Sequence, residues 1–292
     1  MELLVHGITY TRDYWMASPE KYKPEKYSWV EHALKRGFPV LAIDRIGNGL
    51  STHPDPITAL QMPYEVQSIH SLIEKIRAGA TNALPRSFDQ IVYVGHSYGS
   101  SLASNLLKMY PDDVEAAILT GFSSHELSGS SAAALASSLS PATSFDHQRF
   151  GTLPPGYVVT ATERNRSDFF YHAPGHHSEP NLASIDFATM DTVGIGELAG
   201  ANVVQAPKFR GKIYVLTGNE DKIFCGNNSD ISQDGNCGSG DHSILDETRQ
   251  LFPAASTYDY YAIPDTGHCV NFHYSAPAAF NRVHNWLENE GF

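Results

Sequence analysis

Ser97 stands between two glycines in Gly95-His96-Ser97-Tyr98-Gly99, directly after the apolar run Gln90-Ile91-Val92-Tyr93-Val94. A serine hydroxyl becomes a nucleophile when a base takes its proton. A G-x-S-x-G pentapeptide between a strand and a helix is a turn that presents such a serine, and the small residues from about 100 to 109 supply the helix. The glycines have a steric reason. The turn is sharp and strained, and flanking side chains would collide with the neighbouring strand and helix. The helix N-terminus beneath the hydroxyl favours developing negative charge. The base should be a histidine, with a carboxylate to fix its tautomer. Asp221 closes Thr217-Gly218-Asn219-Glu220-Asp221 and His268 closes Ile263-Pro264-Asp265-Thr266-Gly267-His268, each just past an apolar run. Glu220 competes with Asp221 for the acid role. Asp44 and Asp265 read as turn residues that bond backbone.

The elements that would position these groups alternate along the chain. Residues 2–5, 38–43, 91–94, 116–120, 212–216 and 257–263 read as strands. Residues 28–36, 64–77, 100–109, 243–251 and 276–287 read as helices. Apolar strands separated by helices imply a mostly parallel sheet covered on both faces, an α/β architecture. Between residues 123 and 210 the pattern breaks. Residues 124–140 are rich in Ser and Ala, and Pro154-Pro155-Gly156, Pro174-Gly175 and Glu179-Pro180 punctuate the rest. Phe169, Phe170, Tyr171, Leu182, Ile185, Phe187, Met190 and Leu198 make the segment too apolar for a linker. It reads as a mostly helical cap lying over the carboxyl ends of the strands, where ligands bind in such sheets. The division is a core of residues 1–122 and 211–292 with the cap at 123–210.

Composition excludes some classes of partner. The 20 Lys and Arg residues face 32 Asp and Glu, a formal charge of -12 that disfavours nucleic acid and anionic membrane surfaces. No apolar run approaches the ~20 residues of a membrane span. Cys225 and Cys237 bracket a polar loop that a disulfide would close. With the sequons at Asn165 and Asn227, that bond points to a secreted protein; a cytoplasmic one is the alternative, and no signal peptide is visible. His172, His176 and His177 cluster, but Pro174-Gly175 forbids a regular helical i, i+4 pair, so they read as a solvated loop. Asp230, Ser232, Asp234-Gly235 and Asp241 echo a calcium loop, yet its twelfth position is Asp and no helix precedes it. Gly194-Ile195-Gly196 lacks the preceding strand of a dinucleotide loop and reads as a helix entry. No metal and no cofactor are expected.

Together these motifs resemble the α/β-hydrolase-fold superfamily, in its capped esterase, lipase and peptidase branch. The matching residues are His6-Gly7, Asp44-Arg45-Ile46-Gly47-Asn48-Gly49, Gly95-His96-Ser97-Tyr98-Gly99, Gly218-Asn219-Glu220-Asp221 and Gly267-His268, in that order. Residues 3–15, 217–221 and 265–273 look most like uncharacterised fungal secreted members. The resemblance implies Ser97 as nucleophile, His268 as general base and acid, Asp221 as orienting carboxylate, and the backbone N–H groups of Ile8 and Tyr98 as oxyanion donors. Thr9, Tyr10, Phe122, Phe169, Phe170 and Tyr171 are the candidate pocket lining. It implies a serine hydrolase that cleaves an ester, lactone or thioester of a small apolar molecule through an acyl-enzyme. An acyltransferase, lyase or cyclase tailoring a small natural product is the alternative on the same scaffold. One departure stands out. The family sheet has two strands ahead of the one ending in His-Gly, and only five residues precede His6, so either this sequence is shortened at that end or the protein lacks those strands. That would leave residues 40–43 at a sheet edge, a pairing hazard expected to be covered by a rearranged segment or by a second copy in a homodimer.

Overall fold

Alternation along one short strand sets the two buried faces of the molecule. Leu3 and Val5 join one hydrophobic cluster and Leu4 joins the other. The computed structural model describes residues 1–17, 22–81, 84–125, 127–173, 175–226 and 234–292, with the side chain of Asp241 left aside. Six parallel strands form the main sheet: β1 (Glu2–Val5), β2 (Val40–Ile43), β3 (Val92–His96), β4 (Ala116–Thr120), β8 (Lys212–Gly218) and β9 (Thr257–Ile263). Their spatial order is β2-β1-β3-β4-β8-β9. Registers such as Leu4↔Val94 and Val94↔Ile118 bring every carboxyl end to one rim of the sheet. The chemistry-bearing loops leave from that rim.

Each face has its own helices. The helices Met62–Arg77 and Tyr98–Met109 cover the face of Leu3, Tyr93, Leu119 and Val215, burying Val66, Ile69, Ile73, Leu102 and Leu106. Apolar residues at 62, 66, 69, 73 and 76 recur at helical spacing, which is why that segment winds rather than extends. The helices Trp29–Lys35 and Ala276–Asn289 cover the face of Leu4, Val94, Ile118 and Leu216 with Trp29, Phe280, Val283 and Leu287. Ser28 starts the first of them, its Oγ accepting the Glu31 N–H at 3.1 Å. The expected helix over 243–251 is two pieces, the α-helical Ile244–Glu247 and the 3-10 turn Thr248–Leu251. Among the described residues no helix is long and apolar enough to cross a membrane.

Among its described residues the segment between β4 and β8 is mainly helical, with the short helices Ala142–Phe145 and His147–Phe150 among its elements. It holds a three-stranded antiparallel sheet, β5 (Leu139–Pro141), β6 (Tyr157–Thr160) and β7 (Val193–Gly194), besides the helices Gly129–Ser137, Glu163–Phe170, Leu182–Thr189 and Ile195–Gly200. Strands of two to four residues carry too little alternation to stand out in a sequence. The segment rests on the loop after β2. Asn48 Nδ2 donates to the Thr192 carbonyl at 2.7 Å, the Gly49 N–H to Asp191 at 2.7 Å, and Tyr157 OH to the Pro54 carbonyl at 2.8 Å. As expected, β2 lies at the sheet edge, and Ala42, Ile43, Ile69 and Leu72 line a groove of about 510 Å³ beside it.

The turn from β3 into its helix needs both glycines of the pentapeptide. Ser97 has φ 55° and ψ -119°. A Cβ on Gly95 would stand 2.7 Å from the Gly99 carbonyl oxygen, and one on Gly99 would stand 2.2 Å from the Val5 carbonyl oxygen. Backbone therefore touches backbone on both sides of Ser97. Gly99→Ala should destabilise the fold by at least about 2 kcal/mol. Gly200→Ala, where an added Cβ meets nothing within 4 Å, should stay within about 0.5 kcal/mol of wild type. Urea denaturation of the two variants makes the comparison, and equal stabilities would refute the steric account.

Candidate active site

Ser97 leaves β3 and His268 follows β9, three strands away, roughly 14 Å at ordinary strand spacing. The loops close that gap. His268 Nδ1 lies 2.8 Å from Asp221 Oδ2, and both side chains are buried. The other Asp221 oxygen accepts the N–H groups of Ile223 at 2.8 Å and Phe224 at 3.0 Å. The carboxylate can take only the Nδ1 proton of His268, so Nε2 is left as the basic nitrogen. The His268 ring sits among Phe224, Phe170 and His96, with centroids at 5.8, 5.6 and 4.9 Å. His96 directly precedes Ser97, and Phe224 shares a cavity with Ser97. The three groups thus meet at the rim.

The two loops that carry the acid and the histidine are clamped together. The Glu220 N–H donates to the Thr266 carbonyl at 3.0 Å, and Glu220 Oε2 accepts the Thr266 N–H at 2.9 Å. Glu220 is thereby a brace, and the acid facing His268 is Asp221. Just beyond, Cys225 and Cys237 are disulfide-bonded, and the Cys225 N–H donates to the Asp221 carbonyl at 2.9 Å. Asp44 accepts from the Arg12 and Leu50 N–H groups and from the Arg12 guanidinium, and Asp265 turns with φ 53°. Both are the turn residues the sequence suggests.

Two further residues of the expected site line the cavity on its other side. Ile8, Ser97 and Tyr98 all line it. A Cβ on Gly7 would stand 2.9 Å from Ser97 Cβ, so the loop after β1 passes directly over the serine. No hydrogen bond engages the Ile8 N–H among the described residues. Tyr98 opens its helix and so has no intrahelical acceptor. This loop is fixed from below. His6 Nε2 accepts the Arg45 N–H at 3.0 Å while Nδ1 donates to the Gly7 carbonyl at 2.8 Å. Burial, with the Arg45 charge beside it, holds His6 well below the usual imidazole range. Burial and the neighbouring His268 do the same to His96, whose Nδ1 pairs with Thr120 Oγ1 at 3.1 Å.

Against Tyr98 lies a buried charge cluster. The Arg45 guanidinium bonds Glu65, reaches Glu197 Oε1 at 2.5 Å and lies 4.8 Å from the Tyr98 ring centroid. Tyr98 OH donates to Glu65 Oε2 at 2.8 Å. Two carboxylates share one cation here. Burial pushes the Glu65 carboxyl up to about 8, with Arg45 pulling it down and Glu197 adding to the rise. Glu197 lies in the inserted segment, so the cluster joins that segment to the serine-bearing helix. A second buried cation does the same for the loop after β1. Arg166 pairs with Asp186 at 2.7 and 2.9 Å and donates to Thr9 Oγ1 at 2.9 Å.

Residues 3–283 match the alpha/beta hydrolase family. The chain belongs to that family. It is an enzyme of hydrolase type. No curated protein sequence is similar enough to count as a match. Among solved structures, a thermophilic esterase from Thermogutta terrifontis is 16% identical, with TM-score 0.64 over 99% of this chain and 89% of that one. The methylesterase MES16 from Arabidopsis is 13% identical, with TM-score 0.61 over 98% of both chains. Tomato methylketone synthase I is 11% identical, with TM-score 0.61 over 99% of this chain and 97% of that one.

The structure brings Ser97, Asp221, His268, Ile8 and Tyr98 to one rim and places the expected pocket lining elsewhere. Thr9, Tyr10, Phe122, Phe169, Phe170 and Tyr171 are all buried, and none lines the cavity at Ser97. Thr9 Oγ1 is taken by Arg166, Tyr10 and Tyr171 donate their hydroxyls to Asp186, and Phe122 packs on Phe224. Phe169 and Phe170 belong to the core on the Leu4 face. The lining that sequence reading missed is Leu127, Ala132, Leu135, Ala136, Leu139 and Leu198, mostly on or beside the Ser/Ala-rich helix Gly129–Ser137. Its near-uniform composition gave no stripe to read. Glu65 did carry a signal, as a charge inside the apolar stripe of its helix. Asn165 lies half-buried in the first turn of Glu163–Phe170. Asn227, Asp230 and Ser232 fall outside the described residues.

A buried neutral imidazole has a pH signature. The unfolded chain protonates near 6.5, while folded His6 resists protonation to well below that value. Stability is therefore full above the unfolded value and is lost as pH falls toward the folded one. Each such histidine should cost about 1.4 kcal/mol between pH 7.5 and 5.5. His6→Gln should remove one such increment from the difference in urea-unfolding free energy between those pH values. A pH difference unchanged from wild type would contradict the assignment.

Proposed function

We propose that this protein is a carboxylic-ester hydrolase, cleaving an ester, lactone or thioester of a small apolar molecule through an acyl-enzyme on Ser97. The observation that carries the reading is the buried His268–Asp221 pair at 2.8 Å, one ring away from the cavity that holds Ser97. His268 Nε2 takes the Ser97 proton as Oγ attacks the carbonyl carbon, and Asp221 stabilises the imidazolium that forms. The oxyanion lies between the N–H groups of Ile8 and Tyr98, each contributing about 3 kcal/mol to the transition state. His268 then protonates the leaving group and later activates the water that frees Ser97.

The substrate class rests on the cavity. It measures about 250 Å³, and Ile8, Leu127, Leu135, Leu139, Leu198, Val203, Ile223 and Phe224 make its walls apolar, with Ser101 and Asn202 as polar points. The inserted segment supplies most of these walls and so acts as the cap that selects the acyl or alcohol group. The esterase activities named for two of the similar structures support the ester class. The Cys225–Cys237 bond supports a secreted protein.

Hydrolysis of p-nitrophenyl butyrate tests the reading. Wild type should turn over with a burst of p-nitrophenol. Ser97→Ala should lower kcat by about 10⁶-fold and Asp221→Asn by about 10⁴-fold, with KM nearly unchanged. Product formed equally well by Ser97→Ala would overturn the covalent route.

A further inference from the structure

On the outer side of the His268 loop, two histidines of the inserted segment meet two aspartates of the rim loops. One ligand atom from each of His172, His177 and Asp265 lies within 4.8 Å of the others. The two imidazoles face each other at 4.8 Å between centroids and 27° between planes. His177 Nδ1 stands 4.0 Å from Asp265 Oδ1. His172 Nδ1 stands 3.2 Å from Asp234 Oδ2, yet the two are not aligned as a hydrogen bond, and this nitrogen is buried without a partner. The pairing does not need a helix. Ala173, at φ 37°, turns the chain, and the N–H groups of His176 and His177 both return to its carbonyl. The backbone is pinned to the neighbouring loop. The His172 and Gly267 N–H groups both donate to His273 Nε2, at 3.2 and 3.1 Å, and the Tyr274 N–H donates to the His177 carbonyl at 2.8 Å.

We propose that His172, His177 and Asp265, with Asp234 as a fourth donor, form a site for a zinc-class divalent cation. Two imidazoles and two carboxylates suit zinc, whereas calcium and magnesium call for oxygen donors throughout. Tetrahedral coordination at about 2.0–2.2 Å sets donor atoms about 3.3–3.6 Å apart, so His172, His177 and Asp265 must draw in by about 1 Å, and Asp234, outside that group, must move further. The side chains that must move can do so, being 34% exposed for His177 and 70% for Asp265. Lys222 Nζ sits 3.5 Å from the other oxygen of Asp234 and competes for that carboxylate, which makes Asp234 the weakest of the four donors. The site joins three pieces of chain: the inserted segment, the loop that ends at His268, and the disulfide-bonded loop after Asp221. A cation there clamps the outer side of the loops that hold the His268–Asp221 pair.

Calorimetric titration of untagged, EDTA-treated full-length protein with zinc chloride tests the site, and thermal melts with and without zinc accompany it. The expected result is one ion per chain at micromolar Kd or tighter. Tm should rise by roughly 5 °C at a hundredfold excess over Kd, with no rise in equal calcium. His177→Ala and Asp265→Asn should each weaken binding at least tenfold while melting like wild type in EDTA. His176→Ala should bind as wild type does. Absence of stoichiometric zinc binding, or binding undiminished in both ligand variants, would overturn the proposal. Neither readout depends on ester hydrolysis, so the site stands or falls independently of the function proposed above.

Discussion

Asp221 has every acceptor direction that matters already spoken for. One oxygen takes two backbone N–H groups and the other takes the His268 imidazole. A buried carboxylate left short of partners would cost several kcal/mol or take up a proton. Those bonds hold the carboxylate in place, and a fixed carboxylate sets which nitrogen of His268 carries the proton. The surrounding loop structure serves this bond. The reciprocal Glu220–Thr266 hydrogen bonds join the two loops, the disulfide closes the acid loop, and Ser123 Oγ donates to the Phe224 carbonyl at 2.6 Å from beneath. The sheet contributes by bringing β8 and β9 side by side with their carboxyl ends level, Gly218 opposite Ile263.

The inserted segment is coupled to the site through buried cations. Arg45 ties Glu197 of the segment to Glu65 and thence to Tyr98, whose N–H is a proposed oxyanion donor. Arg166 ties Asp186 to Thr9, one residue after the other donor, Ile8. Thr9 has φ 57°, a conformation a β-branched residue avoids unless its surroundings impose it. The Arg166 bond and the donation of the Asp191 N–H to the Thr9 carbonyl at 2.9 Å do the imposing. Removing either cation leaves buried carboxylates uncompensated, a loss typically of 3–5 kcal/mol. The walls that shape the cavity and the proposed oxyanion donors are therefore one mechanical unit.

What the sequence made legible follows the strength of local physics. β1 and β4 begin and end where the sequence places them, because a strand buried on both faces reads as a nearly continuous apolar run. Ser97, Asp221 and His268 could be named because each lies just past such a run and their order in the chain matches the topology. The pocket was illegible for the opposite reason. A helix of Gly, Ser, Ala and Leu offers no stripe to say which side faces the cavity, while the conspicuous aromatics at 169–171 went into the core and its ion-pair shell. The three-stranded sheet in the insertion was too short to show alternation. His172 and His177 meet through a tight turn at Ala173, a backbone choice that composition does not encode.

The central claim is that Ser97 is an activated nucleophile because His268 and Asp221 make it one. Intact-mass and peptide-level mass spectrometry after treatment with a fluorophosphonate tests this without knowledge of the natural substrate. The account predicts one adduct per chain, on Ser97, formed at least a hundredfold more slowly in a folded Asp221→Asn variant. No adduct on Ser97, or labelling equally fast in that variant, would contradict it.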